Sequence, residues 1–212
     1  MVESTEMNNS DELRSRLSQI SNSGRIAFGA ACCERQLPNY VAFSKMEGWG
    51  DIVKINETLD VVWTSVLDER AMDQIDEMEI DVLLTLVPDT EEFSSAFTSL
   101  AGDVVSSLIY TIEARKNRDA NLENILQVAE VSLSSVFQYL AIVNLPTAFP
   151  DVEPEGFDDL LYTLPLLRTE IEAQYRDVSL ILNRTLDSNL VAELRATASN
   201  LGIQPEKRGL IK

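Results

Sequence analysis

Apolar residues recur every three or four positions along most of the chain, and runs that alternate between apolar and polar residues are almost absent. Spacing of three and four places side chains on one face of an α-helix, whereas strands require alternation. The pattern therefore predicts an all-α fold, a single globular bundle of about seven to nine helices. No unit of about 30 to 45 residues repeats, so a solenoid is not expected.

Capping and breaking residues divide the pattern into individual helices. The first helix is predicted to start after Asn9 or Ser10, and the last to stop at Gly202. Pro38 removes an amide donor, so we expect a bend there and a short resumed helix through Met46. The other helices are predicted over about 24–36, about 52–69, from about 73 to before 88, after the acidic turn 89–92 to near 118, from a cap at 119 onward, 165–184 and 188–200.

Three prolines interrupt the later part of the chain, namely Pro146, Pro150 and Pro154. So many prolines are incompatible with one regular element, and 144–156 is predicted to be a long surface loop. The domain prediction is one all-α domain over 1–203, followed by a short tail over 204–212.

The composition changes the picture mainly through charge. The chain has 212 residues, 45% of them hydrophobic and 25% charged, with 17 basic and 35 acidic residues and a net charge of −18. Such a surface repels phosphate backbones, so nucleic-acid binding is not expected. Histidine is absent, which excludes Ser-His-Asp and Cys-His catalysis and histidine-ligated zinc.

The termini and cysteines indicate a cytoplasmic protein. The polar, acidic start lacks the apolar core of a signal peptide, and no later run was expected to approach the roughly 18 apolar residues of a membrane span. Cys32 and Cys33 are adjacent and cannot form a normal disulfide. They lie in an apolar run, so we interpret them as buried thiols without chemistry, although a thiolate near Arg35 would have a lowered pKa.

Two charged residues follow an apolar run in the second predicted helix. Residues 26–33 are apolar on all sides, so Glu34 and Arg35 enter a crowded environment and must be paired. One interpretation is a polar pocket in which Arg35 binds an anion or Glu34 acts as a general base; the favoured one is a structural ion-pair network. We predict that Arg35 is buried and paired with Asp60 or Asp103. Asn39 is expected to cap the resumed helix, and Tyr40 to belong to the bend.

Carboxylates are dense in one segment. Residues 57–92 contain 12 acids and one base, Arg70, and could bind Mg²⁺ or a basic partner, with a solvated acidic face as the favoured interpretation. The calcium-loop pattern is absent. The carboxylates considered are Asp73, Asp76, Glu77, Glu79 and Asp81.

Glu57 and Asp60 share a helix face and, with Glu34, suggest an alternative function. All-α nucleotide phosphohydrolases hold Mg²⁺ on comparable carboxylate pairs, although no lysine-rich phosphate clamp accompanies these residues. The three carboxylates would have to converge for this hypothesis to hold.

One string of unlike residue types resembles a known family. Residues 31–40, which read Ala-Cys-Cys-Glu-Arg-Gln-Leu-Pro-Asn-Tyr, resemble the YjaG-like family of bacterial proteins, domain of unknown function family 416. The likeness continues in the right order through Phe43, 48–51, 59–63, Asp103, 122–123, 132–136 and 199–203. The resemblance implies a cytosolic all-α domain and no established activity. Its polar cluster comprises Glu34, Arg35, Asn39, Tyr40, Asp60 and Asp103.

The sequence contains no complete catalytic constellation, and we predict no catalytic residue, metal or cofactor. The leading hypothesis is a non-enzymatic helical protein of the cytoplasm that binds an unknown protein partner or forms a homo-oligomer. Neither nucleic acid nor membrane is an expected partner. The magnesium-dependent phosphohydrolase is the alternative.

Overall fold

The computed structural model describes residues 11–75, 77–148 and 165–202. In chain order the α-helices are α1 (11–18), α2 (Asn22–Glu47), α3 (Ile52–Ser65), α4 (Glu77–Thr85), α5 (Thr98–Lys116), α6 (Asn121–Ala148), α7 (Pro165–Asn183) and α8 (Ser188–Leu201), with a 3₁₀ helix over Glu69–Gln74. No strand occurs in these ranges, and the all-α, single-domain prediction is confirmed. The possible caps Asn9 and Ser10, Asp76 and the tail 204–212 lie outside the described residues.

Helix α2 forms the centre of the bundle. It packs against α3, α5, α6, α7 and α8, and residues 26–36 are buried without interruption. A helix that is apolar on all sides can bury every face only in the middle of a bundle, and the sequence predicted this position. Ser21 caps its start by accepting a hydrogen bond from the Gly24 amide, and Gly48 ends it with φ of 62°.

The predicted break at Pro38 is wrong. Helix α2 runs through Pro38 to Glu47, because its packing against five other helices stabilises it despite one lost amide donor. Gly202, at the end of α8, packs tightly here: a Cβ on it would lie 2.9 Å from the Arg35 carbonyl oxygen and 3.1 Å from the Pro38 ring. A continuous helix also means that Asn39 caps nothing.

Other boundaries also differ from prediction, and α5 begins at Thr98 instead of directly after the acidic turn 89–92. Helix α3 ends at Ser65, and the next residues form the 3₁₀ helix before α4 begins at Glu77 instead of near 73. Helix α6 continues to Ala148, so the first part of the predicted 144–156 loop is helical; the rest of that loop lies outside the described residues. The predictions for α7 and α8 are confirmed to within a residue at each end.

Helix α6 contains a stretch that is long and apolar enough to cross a bilayer. Residues 121–142 have a mean hydropathy of 1.4, and 44% of the window is buried inside the fold. The expectation that no stretch approaches a span overlooked this helix. Since α6 packs against α2, α5 and α7, its apolar character also suits a bundle core, and length and composition are weak evidence of a span.

Candidate functional site

Arg35 lies in the middle of α2 and binds two carboxylates of α7. Its Nε and Nη2 donate to the two oxygens of Glu170 at 2.8 and 3.0 Å, and its Nη1 donates to Asp177 Oδ2 at 2.7 Å. Arg35 is 3% exposed, and both acids are also buried. The predicted burial and ion pairing of Arg35 are therefore confirmed.

Neighbouring polar groups complete this network. Ser132 of α6 donates to Glu170 Oε1 at 2.9 Å, and Gln174 donates to the same oxygen and to the Ala129 carbonyl, each at 3.1 Å. Arg176 donates to Asp177 Oδ1 at 2.6 Å. A buried ionic network is tolerated when its members find partners, and here three helices supply them.

The surrounding carboxylates keep Arg35 charged. Burial lowers the pKa of the Arg35 guanidinium, but the negative charges of Glu170 and Asp177 outweigh burial and leave the pKa above its ordinary value. A guanidinium that binds two carboxylates has no free donor fork for an external anion. The arrangement favours the structural interpretation of Arg35 over anion binding.

The cysteines behave as buried thiols. Arg35 Nη2 lies 3.2 Å from Cys32 Sγ, and Cys33 Sγ lies 3.6 Å from Thr111 Oγ1. Burial raises the pKa of Cys32 well above its ordinary value and that of Cys33 to about 12, despite the nearby guanidinium. Desolvation thus wins over the charge effect that would activate a thiolate.

The predicted partners of Arg35 were wrong. Asp60 lies on the exposed face of α3 and pairs with Arg195 of α8. Asp103 lies on α5 beside Ser135 of α6, away from the guanidinium. The partners of Arg35 are instead Glu170 and Asp177 of α7, and not acids of α3 or α5.

Glu34 belongs to a second cluster at the edge of the bundle. Its Oε2 accepts a hydrogen bond of 3.0 Å from Trp63 Nε1 and lies 3.3 Å from Arg195 Nε. Arg195 therefore sits between Glu34 and Asp60, the two carboxylates that a bridging cation would need. Glu57 is exposed on α3.

This geometry contradicts the phosphohydrolase alternative. In the ranges 11–75, 77–148 and 165–202, no group of three or more acidic, cysteine or histidine side chains is arranged to hold a metal ion. Glu34, Glu57 and Asp60 do not converge, and an arginine occupies the space between two of them. The hypothesis was therefore wrong about these residues.

The last members of the motif cluster join α2 to its other neighbours. Asn39 donates to Ser135 Oγ at 3.5 Å, and Tyr40 donates to the Leu86 carbonyl at 3.3 Å while accepting from the Asp51 amide at 3.4 Å. Among the described residues, Asn39 Oδ1 and Asp103 Oδ2 are buried without a hydrogen-bond partner. Burial raises the Asp103 pKa to about 6, and a hydrogen bond from Ser135 opposes the shift.

A small cavity touches both the network and the hydrogen-bonded pair Asn39 and Ser135. Its volume is about 10 Å³, and its polar lining includes Arg35, Asn39, Ser132, Ser135, Thr169 and Glu170. That volume holds about one water molecule and no substrate. The cavity is therefore suited to hydrating buried polar atoms and not to catalysis on a bound molecule.

Sequence reasoning missed Glu170, Gln174 and Asp177, although a signal was present. These residues are spaced four and three apart, on the same face as buried Leu167 and Ile181. Polar residues at positions where a helical stripe requires apolar ones indicate a buried polar network. Arg195 gave no comparable signal, since it lies on a half-exposed face.

The fold and this network define a class of single-domain helical bundles held together by a buried arginine. The family model for a protein of unknown function, DUF416, matches residues 12–204, and the chain belongs to that family. The expected likeness to the YjaG-like proteins is thereby confirmed.

A solved structure shares the fold. The crystal structure of a DUF416 family protein from Shewanella baltica OS155 superposes with a TM-score of 0.75 at 24% sequence identity. The match covers 90% of this chain and 97% of that one. A comparison with curated proteins finds no significant match. The family's function is unknown, and the match indicates no specific activity.

Proposed function

We propose that this protein is a non-catalytic cytoplasmic binding protein that captures a basic, amphipathic segment of another protein on helix α4. The observation that carries the proposal is the exposure of Val82 and Leu84, 41% and 52%, on either side of fully buried Leu83. Leu83 and half-buried Ile80 anchor the short helix, and Val82 and Leu84 remain uncovered on its two flanks.

The apolar character continues past the end of the helix. Val87 is 37% exposed, and Val53, in the first turn of α3, is 62% exposed. Lys54 forms an ion pair with Glu79, which joins the start of α3 to α4. We call Val53, Val82, Leu84 and Val87 the α4 surface. Large apolar side chains left exposed near one another in the chain are candidates for contact with a protein partner.

The charges around the α4 surface specify the chemistry of that partner. Glu57, Asp81, Asp89, Glu91 and Glu92 are all exposed, within a segment whose net charge is −11. Carboxylates among exposed apolar side chains complement a helix with leucines on one face and lysines or arginines beside them. Nucleic acid and anionic membranes carry the wrong charge for this surface.

The same charges disfavour a second copy of this chain as the occupant. Two such surfaces brought face to face would juxtapose like carboxylates, in a chain whose net charge is −18. Like-charge juxtaposition at an interface costs several kcal/mol. Of the two partners considered from the sequence, a different and basic protein is therefore preferred to a homo-oligomer.

The test uses a fluorescent peptide of about 20 residues with leucines at helical spacing and lysines elsewhere, in an anisotropy titration. A scrambled peptide of equal composition is its control. We expect Val82→Ser/Leu84→Ser to weaken binding at least tenfold. Leu182→Ser, which also leaves the net charge unchanged and lies at an exposed site on α7, should not alter the affinity.

Equal binding of the two peptides, or equal affinity of the parent and the double variant, would overturn the proposal, because simple charge attraction would then suffice. Sedimentation provides the second measurement. A dimer that dissociates on Val82→Ser/Leu84→Ser would also overturn it, since a second copy would then cover the α4 surface.

A further inference from the structure

A cleft lies at the end of the bundle where α5 ends and the 3₁₀ helix passes. Its volume is about 400 Å³, and it lies between Asn22 at the start of α2, the 3₁₀ helix and residues 115–118. This volume falls within the range of small-molecule sites, which is about 300–1,000 Å³. It lies apart from the small cavity beside Arg35, and the proposed function does not use it.

The charge of this cleft is opposite to that of the molecule. Arg70, Arg115, Lys116 and Arg118 line it, together with only two acids, Glu69 and Asp73. In the chain as a whole, acids outnumber bases by 35 to 17. Basic side chains are therefore concentrated in this cleft, although acidic residues predominate in the chain.

Two of the guanidinium groups share one carboxylate. Arg118 Nη2 lies 2.9 Å from Glu69 Oε2, and Arg115 Nη1 lies 3.4 Å from Glu69 Oε1. Arg115 is held in place by donating to Ser23 Oγ at 3.1 Å and to the Ser65 carbonyl at 2.6 Å. One carboxylate cannot neutralise both arginines, and the four basic residues of the lining outnumber its two acids, so the lining keeps a net positive charge.

The dipole of helix α5 explains only part of this cluster. Arg115 and Lys116 lie in the last turn of α5, where cations offset the negative end of a helix. Arg118 follows the helix, and Arg70 comes from the 3₁₀ helix, so neither is required for that purpose. Arg70 pairs with Asp68 but is 85% exposed, and such exposed pairs contribute little and can be displaced.

We infer that this cleft binds a small organic phosphate, whose phosphate group contacts Arg70 and Arg118 above the fixed Arg115. Guanidinium forks match phosphate oxygens in a bidentate manner, and two mobile arginines around one fixed arginine can close on a dianion. Met72 and Ile75 line the same cleft and are each 5% exposed, so the exposed edges of these core residues provide apolar contacts for the organic part of the ligand. Glu69 then changes from the shared partner of two arginines to the partner of one.

The experiment is a calorimetric titration with phenyl phosphate, inorganic phosphate and citrate at low and physiological salt. We expect phenyl phosphate to bind at least fivefold more tightly than inorganic phosphate, because only the ester reaches Met72 and Ile75. The affinity should fall as salt rises. Arg70→Gln/Arg118→Gln should weaken binding at least tenfold, and both residues are exposed enough for the variant to fold.

Arg184→Gln is the matched control, because Arg184 forms a comparable exposed pair with Glu193 on another surface. Its affinity for phenyl phosphate should equal that of the parent. An equal loss in the control variant would mean non-specific charge attraction and would overturn the site. Absence of binding by all three anions would do the same, and citrate binding as tightly as phenyl phosphate would overturn the phosphate assignment.

Discussion

Arg35 and Glu170 are 135 positions apart in the sequence, yet their side chains meet through two parallel hydrogen bonds of 2.8 and 3.0 Å. Both groups are buried, so the pair is a bidentate ionic contact in the interior. It joins the central helix α2 to α7, and Asp177 adds a third bond from two turns further along α7. The stability of the bundle should therefore depend on this arginine.

Replacement of Arg35 by alanine should lower the free energy of unfolding by about 3–5 kcal/mol, because Glu170 and Asp177 would remain buried without their cation. Arg35→Lys should recover only part of the loss, since an ammonium cannot reproduce the two-pronged contact. Urea denaturation measures both variants. An alanine variant with the denaturant midpoint of the parent would contradict the structural role, and Arg184→Ala should shift the midpoint little.

Gly29 is expected to tolerate no larger side chain. A Cβ there would lie 2.7 Å from Ile125 Cδ1 and 3.0 Å from Thr111 Oγ1, in a region that is fully buried. Gly29→Ala should therefore destabilise the fold by about 1–3 kcal/mol through overpacking.

Gly102→Ala is the control, because the new methyl group would meet only Val87 Cγ1, at 3.6 Å. Alanine is favoured over glycine within a helix, so this variant should gain about 0.5–1 kcal/mol. Thermal unfolding of the two variants should give shifts of opposite sign. Two shifts of the same sign would show that the close approach of α2 to α5 and α6 has been misjudged.

Asp103 should make stability depend on pH between about 4 and 7. Its pKa in the folded protein is about 6, above the ordinary value of 3.8, so the folded state binds a proton more tightly than the unfolded chain. The stabilising contribution of this protonation is complete below the unfolded pKa and is lost as pH rises through the folded one.

Asp103→Asn removes this titration and keeps an acceptor for Ser135. The parent should therefore lose stability relative to the variant as pH rises from about 4 to 7, as measured by urea denaturation across that range. A constant difference between the two proteins would contradict the assignment.

Cys32 and Cys33 should not react with thiol reagents in the folded protein at about pH 8. Both are buried, and their raised pKa values leave almost no thiolate. Absorbance with a disulfide reagent should show no fast phase in native buffer and full reaction of both thiols in concentrated guanidinium. Rapid modification of the native protein would mean that α2 opens locally or that a thiolate forms near Arg35.

Removal of divalent metal should leave the fold intact. The described residues include no metal-binding group of three side chains, and the buried apolar core extends through the bundle. EDTA should change the thermal midpoint only slightly, through loss of screening by divalent cations at a net charge of −18. A fall of many degrees would contradict this expectation and would indicate a cation among the acidic residues of 57–92.

Local patterns predicted helix positions well where packing and capping agree. The all-round apolar run before Arg35 correctly predicted its burial, and Pro165 and Gly202 marked helix ends that the structure confirms. Pro38 shows where local rules fail, because contacts from neighbouring helices stabilise a helix that the isolated segment would interrupt.

The partners of Arg35 were harder to predict for a different reason. Helical periodicity shows that a residue faces the core but not which helix faces it. Asp60 and Asp103 lie in segments that resemble the family, whereas Glu170 lies outside them, between segments 132–136 and 199–203. The sequence signal for the correct acids is the polar stripe of α7, where Glu170, Gln174 and Asp177 occupy core-facing positions.

The network around Arg35 also constrains the order in which the helices can pack while the chain is being synthesised. Synthesis proceeds at about 5–20 residues per second, so Asp177 follows Arg35 by on the order of ten seconds. Helices α2 to α6 can pair in that interval, but the Arg35 guanidinium must stay hydrated until α7 emerges. A chain interrupted before residue 170 would lack both acids that pair with Arg35, so this arginine could not be buried. Such a fragment should be more sensitive to proteolysis than the full chain.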